Sequence, residues 1–155
     1  MTKATNDGVS MSISYDAKGN TTGTTLTGTN TSDKITSSAA YDSTGNYVTS
    51  QTDARGNTVT YAYGNNISKM TGQPTAVTDP TNVTRTSSYN TANGRITGTE
   101  ITGTASLDYI YGSGRLTTMT RSGYVPGETA EQTQSYTMSY DGFGNMAGVS
   151  VGSKN

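Results

Sequence analysis

The sequence predicts an all-β fold: an antiparallel meander of tandem β-hairpins forming a curved, twisted sheet. Three observations point there. The first is composition. Of 155 residues, 30% are hydrophobic and 14% charged, against usual shares of about 45–50% and about 25%. The polar bulk is neutral: 32 Thr and 18 Ser, beside 19 Gly and 11 Tyr. Thr and Tyr suit a pleated, half-buried surface, whereas Gly and Asn suit reversals. The second is a repeated motif. Asp16-Ala-Lys-Gly19-Asn20, Asp42-Ser-Thr-Gly45-Asn46, Asp53-Ala-Arg-Gly56-Asn57 and Asp141-Gly-Phe-Gly144-Asn145 all read Asp-x-x-Gly-Asn. Four copies in one chain mark an internal repeat. The third is apolar–polar alternation in several stretches beside the copies, residues 9–15, 58–63, 135–140 and 147–151, the period of a sheet wetted on one face.

The elements follow in order. Residues 1–8 lack any pattern and are expected as a flexible N-terminal tail. In residues 9–15, Val9, Met11, Ile13 and Tyr15 share one face and three Ser the other. Turns then fall at Asp16–Asn20, Asp42–Asn46 and Asp53–Asn57. Residues 58–63 place Val59, Tyr61 and Tyr63 on one face. A longer loop is expected around residues 68–74, because Tyr63 and Thr78 are fifteen residues apart where the other steps are eleven. Weaker turn copies come next. Asp79 pairs with Asn82, the other residue that tolerates a left-handed backbone. Asn90 is followed by a delayed Gly94, and Gly112–Gly114 makes a shorter loop. "YGNN", residues 63–66, is the most degenerate copy. Residues 122–134 read as a surface loop. Residues 135–140 are a strand with Tyr136, Met138 and Tyr140 on one face, and Val149 and Val151 continue the alternation. Residues 152–155 are expected as a C-terminal tail. No stretch has a convincing helical period. Eleven residues divide into about seven of strand and four of turn, giving about 12 to 14 strands.

Each turn has a physical reading. The Asp carboxylate accepts a backbone N–H two residues on. The Gly then takes positive φ at little cost, and a type I turn closes the hairpin. Tyr15, Tyr41 and Tyr140 precede the Asp in three copies, and Thr52 precedes it in the fourth.

Composition also excludes functions. The net charge is −1 and the ten Lys and Arg are scattered, which argues against nucleic acid. No apolar stretch approaches the length of a membrane-spanning helix, about 20 residues. The first ten residues lack the apolar centre of a signal peptide. There is no Cys, which leaves a cytosolic or a secreted setting equally open. With no His and no Cys, the chain cannot build a Ser–His or Cys–His nucleophile or a thiolate or imidazole zinc site. The repeated Asp could in principle be catalytic acids or calcium ligands. Catalytic acids must converge on a substrate, and calcium loops gather several oxygens. Here each loop supplies one acid, so turn capping is preferred and no cofactor is expected. Tyrosines at strand ends are expected to pack on cross-strand neighbours. Tyr47 and Tyr124 lie outside that position and are the candidates for exposed contacts.

Tyr-Asp-x-x-Gly-Asn followed by Thr-Asp-x-x-Gly-Asn and Tyr-x-Tyr, from Tyr41 to Tyr63, resembles the YD repeats of the Rhs family. So do Gly94-Arg95-Ile96 and Gly114-Arg115-Leu116. The resemblance runs from about Ile13 to Val151 and is poor over residues 97–108 and 121–134. In that family, long arrays of such repeats spiral into a hollow β-shell around a toxin segment, in bacterial polymorphic toxins and insecticidal toxin complexes. Teneurins use a similar shell in adhesion. The resemblance implies that residues 1–155 are one non-catalytic wall segment, a fragment of a much larger secreted or cell-surface bacterial protein. Its partners would be the rest of the shell and an enclosed polypeptide. The family's self-cleaving Asp-Pro-x-Gly context is not matched, since Asn82 stands for the glycine after Asp79-Pro80. The other reading is a binding module whose exposed repeat sheet holds glycan or protein. A sheet with two open edges could also self-associate through them.

Overall fold

Alternating side chains and tight reversals give strands too short of apolar residues to stack into layers. In the computed structural model, which describes residues 2–64, 70–124, 127 and 130–152, they lie side by side. The strands are β1 (Thr2–Asn6), β2 (Val9–Tyr15), β3 (Thr21–Thr27), β4 (Lys34–Tyr41), β5 (Val48–Thr52), β6 (Thr58–Ala62) and β7 (Ala76–Thr78). Then come β8 (Thr84–Tyr89), β9 (Ile96–Ile101), β10 (Ala105–Gly112), β11 (Arg115–Tyr124), β12 (Glu131–Tyr140) and β13 (Met146–Val151). They form one 13-stranded antiparallel sheet in which spatial order equals chain order. The fold is the meander that the repeats predict, and the sheet is not closed.

The chain divides into two compact units, residues 1–63 with 77–82, and residues 64–76 with 83–155. In the first unit the register puts Met11 beside Leu26 and Leu26 beside Ile35 on one face. On the other face Ser12 pairs Thr25, Thr25 pairs Thr36, Ser38 pairs Thr52 and Thr52 pairs Thr58. In the second unit Tyr109 pairs Met119, Met119 pairs Tyr136 and Tyr136 pairs Val151 on one face. The opposite face carries Asp108, Thr120 and Ser135 in one row and Ser106, Ser122 and Thr133 in the next. Each unit therefore has a hydroxyl face and a sparse apolar face. No hydrophobic residue is buried among the described residues. Cohesion comes from the backbone ladders and from cross-strand pairs such as Thr52 Oγ1 with Thr58 Oγ1 at 2.8 Å. Such pairs contribute about 0.2–1 kcal/mol each.

Two stretches differ from expectation. Over residues 2–6 the expected N-terminal tail is strand β1, paired with β2 from Thr2 with Ile13 to Asn6 with Val9. Asp7 (φ 46°) and Gly8 (φ 78°) close that hairpin. Two residues at positive φ make the tight loop that matches strand twist. Of the expected loop over residues 122–134, residues 122–124 and 131–134 are strand, the ends of β11 and β12, while residues 125, 126, 128 and 129 lie outside the described residues. Gly123 pairs Gln132, and Thr133 Oγ1 meets Ser122 Oγ at 3.2 Å. A Gln-Thr-Gln-Ser run has no apolar alternation to announce a strand, yet a hydroxyl face needs none. Of the degenerate copy at residues 63–66, Asn65 and Asn66 lie outside the described residues, as do residues 153–155 of the expected C-terminal tail. At the start of that tail, Gly152 N donates to Ser135 O (2.8 Å).

Candidate functional site

The Asp-x-x-Gly-Asn turns are the feature of the chain that needs a chemical account. In the copy at Asp16, Gly19 N donates to Asp16 O (3.2 Å), and Asp16 N donates to Asn20 O (2.9 Å). Gly19 has φ 89°. This is an i to i+3 reversal followed by a left-handed glycine, the turn-plus-bulge loop common in hairpins. Asp16 Oδ1 accepts from Lys18 N and Asn20 N, both at 2.9 Å, and Oδ2 accepts from Asn20 Nδ2 at 3.0 Å. Asp53 repeats the set with Arg55 N (2.8 Å), Asn57 N (2.9 Å) and Asn57 Nδ2 (2.9 Å). Asp141 does so with Phe143 N (2.9 Å), Asn145 N (2.8 Å) and Asn145 Nδ2 (3.1 Å). The trailing Asn thus has a use that its sequence position alone does not reveal: its side chain occupies the second carboxylate oxygen.

Asp42 departs slightly. Its amide donates to Tyr47 O rather than to Asn46 O, so the loop closes one residue later. The Thr44 hydroxyl takes the place of the Asn amide, 2.8 Å from both carboxylate oxygens, and Asn46 N adds a bond at 3.1 Å. Gly45 has φ 77°. The weaker copies keep part of the device. Asp79 Oδ1 accepts from Thr81 N (2.8 Å), and Asn82 takes φ 65°. Asn90 Oδ1 accepts from Ala92 N (2.8 Å), and Gly94 N donates to Asn90 O (2.8 Å). Ser113 (φ 47°) and Gly114 (φ 82°) form a two-residue loop with no carboxylate.

These bonds have an electrostatic consequence. Asn20 and Asn57 hydrogen bonds hold the Asp16 and Asp53 carboxyls below the ordinary aspartate value, and Asn145 does the same for Asp141. At Asp42 partial desolvation pushes upward, but hydrogen bonds from Thr44, Tyr47 and Asn46 outweigh it. Each carboxylate is stabilised by its own turn. Among the described residues no group of three or more acids could hold a metal ion.

The tyrosines reveal an order that the sequence reading did not draw. Tyr15, Tyr41, Tyr89 and Tyr140 end even-numbered strands, Tyr111 is the last residue but one of β10, and Tyr63 directly follows β6. In a meander such positions share one rim of each unit. Where such a tyrosine starts a hairpin, the ladder slips by one residue: Ser14 pairs Gly23 but Tyr15 pairs Thr21. The same slip occurs at Tyr41, Tyr89, Tyr111 and Tyr140. The Asp53 hairpin, entered from Thr52, stays in register from Ser50 with Thr60 to Thr52 with Thr58.

Three of the rim tyrosines, Tyr41, Tyr89 and Tyr140, also reach back to the preceding turn of the same rim. Tyr41 Oη donates to Thr21 O (3.1 Å) and Tyr140 Oη to Leu116 O (2.6 Å). Both carbonyls lie just past the last paired residues of their ladders, Gly23 with Ser38 and Thr118 with Thr137. The hydroxyl therefore satisfies an acceptor at the point where the strands part. Tyr89 Oη donates to Pro74 O (3.1 Å). Cations lean the other way. Arg95 lies 5.3 Å from the Tyr111 ring centre and Arg115 lies 5.7 Å from that of Tyr140, within cation–π range. Lys18 Nζ donates to Ser43 O, and Asn20 Nδ2 donates to Gly45 O (2.8 Å). A Cβ on Gly45 would overlap Lys18, and one on Gly144 would overlap the Arg115 guanidinium. The arginines of the Gly-Arg-Ile and Gly-Arg-Leu variants are thus staples between successive hairpins.

Tyr47, expected to be exposed, is half-buried and stacks on Tyr63, with ring centres 5.0 Å apart and planes at 44°. The longer Asp42 loop carries it to the rim beside Tyr63. Burial raises the Tyr63 phenol pKa, with the charges of Tyr61, Tyr47 and Asp42 adding to the shift. Tyr124 is 57% exposed. It borders a depression of about 420 Å³ on the hydroxyl face, alongside Glu100, Asp108 and Glu131.

No protein-family model matches the chain, and no curated protein matches it. Among solved structures, the chain is similar to the Photorhabdus luminescens Tc holotoxin pore, at 15% identity and a TM-score of 0.36, covering 92% of this chain and 11% of that one. It is also similar to TcdB2–TccC3, at 15% identity and a TM-score of 0.35, covering 93% of this chain and 12% of that one.

Proposed function

We propose that the chain is a non-catalytic structural segment, one stretch of an Rhs-type β-shell wall that encloses or displays a toxin or effector polypeptide. The observation that carries this reading is the occupancy of the turn carboxylates. At Asp16, Asp53 and Asp141 both oxygens are engaged by donors of the same turn. A carboxylate so held is a poor general base, because most of its lone pairs are engaged and its pKa is depressed. Repeating that device once per hairpin serves the placing of strands. Among the described residues no hydrophobic side chain is buried, which fits a wall that gains its cohesion along the sheet. The motif's resemblance to Rhs repeats supplies the shell, the enclosed partner and a secreted or cell-surface bacterial setting.

The test is activity. The purified chain should show a β-type circular dichroism spectrum and no turnover of peptide, ester, glycoside or phosphoester reporters, with or without calcium. Turnover that disappears in Asp53→Asn or Asp141→Asn would overturn the reading.

One observation favours a second reading, a cell-surface binding module. Tyr124 is exposed beside a hydroxyl-lined depression, where a ring could stack on a sugar or a partner side chain. Glycan-array binding lost in Tyr124→Ala and kept in Tyr41→Phe would support it.

A further inference from the structure

The turn between β8 and β9 is led by Asn90 and carries Asn93-Gly94, the single Asn-Gly pair in the sequence. An asparagine amide can be attacked by the backbone nitrogen of the next residue. The approach is easiest when that residue is glycine, which has no Cβ to block it.

Three features of this turn favour the attack. Asn93 is exposed. Its Oδ1 accepts from Arg95 N (3.1 Å), so a backbone donor already stands where negative charge gathers as the amide carbon becomes tetrahedral. Its Nδ2, the departing group, has no hydrogen-bond partner among the described residues. One bond opposes the attack: Gly94 N donates to Asn90 O (2.8 Å). The reaction therefore proceeds when this bond opens, and an exposed turn with no capping carboxylate opens locally at little cost.

The motif turns are built the other way. Asn20 Nδ2 donates to Asp16 Oδ2 and to Gly45 O, Asn57 Nδ2 to Asp53 Oδ2, and Asn145 Nδ2 to Asp141 Oδ2. Their amides are pinned. Thr21, Thr58 and Met146 follow them, each with a Cβ that hinders its own backbone nitrogen.

We propose that Asn93 is a self-modification site, at which the folded chain converts a side-chain amide to a carboxylate without an enzyme. Gly94 N bonds to Asn93 Cγ and loses its proton. The Cγ–Nδ2 bond breaks, and Nδ2 takes up a proton and leaves as ammonia. Water then opens the cyclic imide at either carbonyl, giving an aspartyl or an isoaspartyl link. Both products place a negative charge on the turn that holds Arg95, whose guanidinium leans on Tyr111. The isoaspartyl link also adds a methylene to the backbone of the reversal. The inference rests on this turn alone and not on the wall reading.

Mass spectrometry of the folded 155-residue chain, held for days at mildly alkaline pH and then cut with trypsin, tests it. The peptide 86–95 should gain the mass that separates a carboxylate from an amide. Fragments should place the change at Asn93, with both product isomers present, while Asn20, Asn57 and Asn145 stay unchanged. Gly94→Ala should lose the conversion. Alanine is strained at φ 72°, so Asn93→Gln, whose longer side chain cannot close the same ring, serves if that variant unfolds. An unchanged peptide overturns the inference, as does conversion that persists in a folded variant or occurs only in urea. Conversion at Asn20, Asn57 or Asn145 as fast as at Asn93 overturns it too. So does an aspartyl product with no isoaspartyl isomer, which signals direct hydrolysis by water.

Discussion

The hairpins at Asp42 and Asp53 carry the same motif eleven residues apart, yet they are built differently. The Tyr41–Asp42 hairpin closes one residue late and carries a ladder slip between Ala40 and Tyr41. It is tied to its neighbour by Tyr41 Oη, Lys18 and Asn20. The Thr52–Asp53 hairpin is regular, and nothing lies near its glycine, since a Cβ on Gly56 would meet no atom within 4 Å. The motif specifies the turn, whereas the residue before it marks the rim. Tyrosine marks a bulged, cross-linked rim and threonine a plain one. A bulge adds local twist, so placing bulges at the ends of even-numbered strands concentrates twist on one side of each unit.

Glycine substitution should give the largest contrast. Gly45→Val and Gly56→Val both place a β-branched residue at positive φ (77° and 85°), which costs about 1–3 kcal/mol. Gly45→Val should cost more, because its side chain also displaces Lys18 and crowds Asn20 Nδ2. Thr58→Val, which adds no backbone strain, should cost least. Urea melts of the three variants check the order, and equal losses at Gly45 and Gly56 would mean that the rim contacts carry no energy.

A smaller effect separates the residues before the turns. Tyr41→Phe removes the bond to Thr21 O and should cost about 0.5–1.5 kcal/mol. Thr52→Val removes only the hydroxyl pair with Thr58 and should cost less. Thermal melts that ranked Thr52→Val above Tyr41→Phe would contradict the division of rims.

Acid should weaken both hairpins together. The folded Asp16, Asp42, Asp53 and Asp141 carboxyls titrate below their ordinary value. Protons therefore bind the unfolded chain more readily, and stability rises with pH across that range. The contribution is complete above the unfolded aspartate pKa of about 3.9 and is lost as pH falls through the lowered folded values. The Asn90 and Ser113–Gly114 turns have no capping carboxylate and should not contribute. Melts across that window on Asp53→Asn should show a shallower pH dependence than the parent chain. An unchanged slope would deny Asp53 its share.

Much of this was legible in the sequence. Asp-x-x-Gly-Asn marked the turns because the carboxylate and the left-handed glycine are local requirements. Alternation in residues 9–15 marked the faces. The rim division was present too, in the order Tyr41, Thr52, Tyr63, Thr78, Tyr89, but its meaning depends on which turns become neighbours. The ladder slips opposite Tyr15 and Tyr140 have no local signature, since the extra residues, Thr22 and Ala147, look like any strand residue. Strand β12 was hidden for a related reason: Gln132 and Thr133 are held by pairing with β11 and by a hydroxyl contact, not by apolar burial.

The most direct test of the central claim, that each turn aspartate serves its own reversal, is a carboxyl-carbon NMR titration of the eight aspartates with and without calcium. The prediction is that Asp16, Asp42, Asp53 and Asp141 each titrate in a single independent step below the ordinary aspartate value, unmoved by calcium. Two of them titrating as a coupled pair, or shifting together when calcium is added, would contradict it.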